Sequence, residues 1–98
     1  MDKYGYPTDD ELDKIEAWDI VEDGSLALVE YIRERWQYAD CGYFKVSGKR
    51  VKKVELHTGG WSGNEDIIRF LKRQNMFWIM FWRKSERGGH YYFKGRMQ

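Results

Sequence analysis

Apolar positions change their spacing along this chain, and the change marks out its elements. After Tyr4 to Pro7, an extended lead-in imposed by the proline, Thr8-Asp9-Asp10-Glu11 has the form of a capping box. Leu12, Ile15 and Trp18 follow at three-residue intervals and predict a first helix of about 12 residues. Asp23-Gly24-Ser25 interrupts the pattern. Leu28, Val29, Ile32 and Trp36 then predict a second helix over residues 25–37. Beyond Asp40 the period falls to two. Phe44 and Val46, a turn at Ser47-Gly48-Lys49, and Val54 and Leu56 predict a β-hairpin. Ile67, Ile68 and Leu71 restore the helical period over residues 64–73, and Gln74-Asn75 supplies a stop. Residues 76–82, Met-Phe-Trp-Ile-Met-Phe-Trp, are apolar at every position, which predicts a central strand covered on both faces. Gly88-Gly89 turns into a last strand over residues 90–94.

The order is therefore α-α-β-β-α-β-β. The expected fold is α+β, a four-stranded, mostly antiparallel sheet packed with helices. At 98 residues, with no linker-like stretch and no internal repeat, the chain fits a single domain, 1–98. No apolar run reaches the roughly 20 residues of a membrane helix, and the first residues lack a signal-peptide core. A lone cysteine, Cys41, excludes an internal disulfide, suits a reducing cytoplasm, and is expected to pack as a small hydrophobe.

The formal net charge of +1 conceals a division. Residues 1–40 carry 12 acidic and 4 basic side chains, and residues 41–98 carry 4 acidic and 13 basic ones. The acidic helical part and the basic ββαββ part either neutralise each other within the fold or present two faces to two partners.

Two regions carry candidate chemistry. Thr58-Gly59-Gly60-Trp61-Ser62-Gly63-Asn64-Glu65 joins a predicted strand to a predicted helix. A glycine-rich turn entering a helix offers free N–H groups to an anion, so Trp61, Ser62 and Asn64 are candidate ligand-binding residues. The plainer reading is a connector in which Ser62 or Asn64 caps the helix. It lacks the P-loop spacing, and Ser62 lacks the nucleophile-elbow pattern. The second region, residues 83–96, holds five basic side chains and one acid among aromatics. Arg83, Arg87 and His90 are expected close together at one end of the sheet, a composition suited to phosphate contact and base stacking. Here the plainer reading is a charged hairpin edge. An enzymatic alternative would assemble His57, Glu65 and His90 for general acid–base work in a hydrolase or nuclease. Two histidines and one cysteine give no metal-ligand spacing, and no cofactor is expected.

The run from Thr58 to Glu65, followed by Phe77-Trp78, Trp82 and Arg87-Gly88-Gly89-His90-Tyr91, resembles a family of small bacteriophage and prophage proteins. Tyr6-Pro7-Thr8-Asp9-Asp10-Glu11-Leu12 resembles their opening. The resemblance implies a bacterial host cytoplasm and no particular activity. It also implies a non-enzymatic binding role toward a host or defence complex, and says nothing of oligomeric state; nucleic acid as a partner is the expectation from the basic, aromatic residues 83–96 alone. The leading expectation is a protein that engages a phosphate-bearing or protein partner.

Overall fold

A computed structural model describes residues 1–98. The elements are α1 (Asp9–Glu16), α2 (Ser25–Arg35), a 3-10 turn at Ala39–Cys41, β1 (Phe44–Ser47), β2 (Lys52–His57), α3 (Ser62–Arg73), α4 (Asn75–Phe81), β3 (Trp82–Glu86) and β4 (His90–Gly95). The fold is α+β. Its four strands are antiparallel throughout, in the order β1-β2-β4-β3. After β2 the chain leaves the sheet through α3 and α4, forms β3 at the far edge, and returns β4 into the gap.

The expected central strand is the main departure. Residues 75–81 form α4, and the third strand starts only at Trp82, on the edge, with every residue exposed. Where all positions are apolar, no period distinguishes helix from strand. The side chains do distinguish them, because Met and Phe outnumber the one β-branched residue, Ile79. Gln74 starts this helix by accepting a hydrogen bond from the Phe77 N–H at 3.2 Å and donating to the Trp18 carbonyl. Phe77 and Phe81, four residues apart, enter the core, while Ile79 is left 80 % exposed.

Consequently the sheet is covered on one face only. Val54, Leu56 and Phe93 point inward, where Phe93 meets Phe77 and Trp78 at ring separations of 5.5 and 5.3 Å. α1 packs on α3, and Leu12, Ile15, Leu28, Ile32, Ile67 and Leu71 join the same core. Helix α1 is shorter than its pattern suggested, ending at Glu16. Its capping box forms as expected, with Thr8 Oγ1 accepting from the Glu11 N–H and Glu11 accepting from the Thr8 N–H. Cys41 is exposed rather than packed.

One buried amide ties three segments together. Asn64 is fully buried in the first turn of α3. Its Oδ1 accepts from the Gln37 N–H at 2.8 Å, and its Nδ2 donates to the carbonyls of Gln37 at 3.2 Å and Thr58 at 3.3 Å. Neither Ser62 nor Asn64 caps α3. Trp61 is the N-cap and contributes no side-chain hydrogen bond.

Glu11 gathers the acidic half's polar contacts. Burial alone would raise its carboxyl pKa. The N-terminal ammonium, the Thr8 N–H and Arg35 outweigh burial and lower it to about 2. A carboxylate depressed in the folded state stabilises fully above its unfolded value near 4.5, and that stabilisation disappears as pH falls towards 2. Glu11→Gln should therefore lower the melting temperature clearly more at pH 7 than at pH 2, where the carboxyl is already about half protonated. A variant equally destabilised at both pH values would show that the carboxylate's charge is not the cause. Asn64→Ala should cost about 2–4 kcal/mol in urea unfolding, because it strands a buried N–H and two carbonyls.

Candidate functional site

The uncovered face of the sheet collects the chemistry. Alternate residues of β2 and β4 point outward, in the facing pairs Lys53–Lys94, Glu55–Tyr92 and His57–His90. Lys84 and Glu86 of β3 lie opposite Tyr92 and His90. Lys45, Lys53, Lys84, Glu86 and Lys94 are all exposed. A shallow depression of about 220 Å³ runs across this face. Lys53, Arg83, Lys84 and Lys94 line it around Tyr92, with Glu55 the single carboxylate. Lys84 Nζ stands 4.6 Å from the centre of the Tyr92 ring. The Glu86 carboxylate beside the Tyr92 phenol, with burial and Glu55 adding to it, raises the phenol's pKa, so the ring stays neutral at pH 7.

The histidines meet at the turn end of the same face. His57 Nδ1 lies 2.7 Å from His90 Nδ1, and His57 Nε2 lies 3.5 Å from a Glu55 oxygen. The loop after β2 enforces this pairing. The Thr58 N–H donates to the Gly89 carbonyl at 2.9 Å. Gly89 has φ +82°, and a Cβ there would stand 2.0 Å from Thr58 Oγ1. Only glycine lets the β3–β4 turn rest on the fully buried Thr58.

The expected site residues are divided between places. Arg83 lines the depression with Phe93 and Lys94, whereas Arg87 lies in the turn between β3 and β4, ahead of His90. The three residues from Arg83 to Glu86, which faces His90, span roughly 10 Å of strand, so Arg83 does not join His90. Glu65 does not reach the histidines either. Tyr91 points to the opposite face of β4, where burial and, after it, the charge of Glu65 raise the phenol's pKa. Glu55 stands where the acid–base reading had placed Glu65, and β-strand alternation from His57 could have identified it.

The glycine-rich loop is mostly occupied with itself. The Trp61 N–H donates to the Thr58 carbonyl and the Gly60 N–H to Thr58 Oγ1. The Trp61 ring sits 4.4 Å from Tyr38 and 4.9 Å from Tyr43. Ser62 is exposed, and Asn64 is committed to Gln37 and Thr58. The stretch links β2 to α3 without the cap from Ser62 or Asn64 that the connector reading expected.

Charge is segregated rather than neutralised. Of the ion pairs present, only Arg73–Glu16 joins the acidic half to the basic half. The largest concavity, about 590 Å³, lies on the acidic half, where Glu30, Glu34 and Asp40 outnumber Arg33. That balance repels a phosphate. No helix is long and apolar enough to cross a membrane, and no family model, curated protein or solved structure matches the chain.

Gly89→Ala should destabilise the fold by about 1–3 kcal/mol, since it adds a strained φ to a clash with Thr58. It should also remove the NMR signature of the His57–His90 contact. Wild-type stability with that contact preserved would refute the role assigned to this turn.

Proposed function

We propose that this chain is a non-enzymatic binding protein that holds a phosphate-bearing partner, foremost a nucleic-acid backbone, on the open face of its sheet. The observation that carries this reading is the depression around Tyr92. Four cationic side chains from three strands surround one neutral aromatic ring, against a single carboxylate. Cations spaced along strands neutralise successive phosphates, and a tyrosine face offers a platform for a base once Lys84 swings aside. The rigid sheet keeps the separation of these charges constant, which lowers the ordering cost of binding.

The segregation of charge supports the same reading. The acidic helical half turns its carboxylates outward at Asp9, Asp10, Asp13, Glu16, Glu30 and Glu34. The basic sheet is thus left free for an external anion. A second reading rests on those same carboxylates, which offer a basic protein partner an anionic surface like that of nucleic acid. On the resemblance to phage proteins, either partner would belong to the bacterial host or to one of its defence complexes, in the host cytoplasm.

Fluorescence anisotropy with a labelled single-stranded oligonucleotide tests the first reading. Lys53→Gln/Lys84→Gln/Lys94→Gln should weaken binding at least about tenfold. It should also reduce the slope of log K against log salt by about 2, the share of three phosphate contacts on a single strand. Unchanged affinity and slope would overturn the assignment. Asp9→Asn/Asp13→Asn on the opposite half should leave binding to the oligonucleotide intact.

A further inference from the structure

The geometry points to a divalent transition-metal chelate formed by the Nδ1 atoms of His57 and His90. It is independent of the proposed polyanion contact and goes beyond it. The two imidazoles come from strands that face each other in register, and their Nδ1 atoms already converge to 2.7 Å. A hydrogen bond at that distance requires one shared proton, and a metal ion taking its place requires a lone pair on each nitrogen.

Glu55 favours the tautomer that supplies the first of these. A carboxylate 3.5 Å from His57 Nε2 attracts the ring proton to Nε2 and leaves Nδ1 as an acceptor. Such a carboxylate–histidine pairing orients metal-bound imidazoles generally. His90 Nε2 lies over the Gly88 turn and is free to carry the other ring's proton. On binding, the Nδ1 proton of His90 leaves to solvent, Nε2 of the same ring takes one up, and both Nδ1 atoms turn their lone pairs to the ion with each ring neutral.

The separation selects the metal. With metal–nitrogen bonds near 2.0–2.1 Å, a right-angled bite needs about 2.9 Å between the nitrogens, and a tetrahedral one about 3.3 Å. From 2.7 Å the first requires a shift of a few tenths of an ångström, the second of more than half. The site therefore suits tetragonal Cu²⁺, and after it Ni²⁺, in preference to tetrahedral Zn²⁺, in accord with the general order of affinities for nitrogen ligands. No third histidine, cysteine or carboxylate completes a ligand set, so water or a partner's oxygen atoms fill the remaining positions.

The test is titration of CuCl₂ into the full chain carrying Cys41→Ser, which removes the exposed thiol. His57 and His90 are the only histidines, so no other imidazole competes. One equivalent of copper should bind, and its electron paramagnetic resonance spectrum should show coupling to two imidazole nitrogens. His57→Gln and His90→Gln should each weaken binding by about tenfold or more, and NiCl₂ should bind more tightly than ZnCl₂. Absence of binding, a spectrum with fewer than two imidazole nitrogens, unchanged affinity in either folded variant, or zinc binding more tightly than nickel would overturn the proposal. If a variant fails to fold, the spectrum of the Cys41→Ser protein alone decides.

Discussion

The arrangement depends on a small knot of backbone-directed hydrogen bonds around Thr58. Its N–H reaches the Gly89 carbonyl, its carbonyl receives Asn64, and its side chain receives the Gly60 N–H. Asn64 in turn holds both polar groups of the Gln37 backbone. The end of β2, the β3–β4 turn, the start of α3 and the exit from α2 are thereby drawn to one point. Thr58 and Asn64 are themselves fully buried, so any bond lost there leaves one of their polar groups unpaired away from water. The polar knot sets where the apolar layers sit, and the layers contribute most of the stability.

The exposed chemistry follows from that knot. With Gly89 seated on Thr58, β4 runs beside β2 in the register that sets His90 opposite His57 and Tyr92 opposite Glu55. The helices α3 and α4 occupy the chain between β2 and β3, and all packing falls on one side of the sheet. The other side is left to Lys45, Lys53, Lys84 and Lys94, which are long enough to remain hydrated while their stems shelter the strands. Their mutual repulsion is tolerable because the face is open to water and salt. It is also what makes the face attractive to a polyanion.

Much of the fold was legible in the chain itself. The capping box at Thr8 and Glu11 is a local device complete within four residues, and it forms as its pattern suggests. Alternation in residues 44–46 and 52–57, and the turn glycines at Gly48 and Gly88-Gly89, likewise report the strands and their hairpins. The stretch from Met76 to Trp82 was misleading because its period is hidden by uniform apolarity. Its burial is in fact helical, with Phe77 and Phe81 inside and Ile79 outside. The candidate site was only partly legible. His90 is marked by its basic, aromatic surroundings, whereas nothing local to Glu55 or Glu65 says which of them lies beside His57.

The sequence by itself determined the local elements, the α+β class and the division of charge between the two halves, because each is written in spacings of a few residues or in composition. Only the tertiary structure decided which face of the sheet stays bare, that the halves scarcely pair, and that two histidines 33 positions apart share one hydrogen bond. The reason is that these outcomes depend on strand order and on contacts far apart in the chain. Whether β4 lies beside β2 or at the edge is settled by how α3 and α4 pack and by one glycine that can rest on Thr58. No local pattern carries that information.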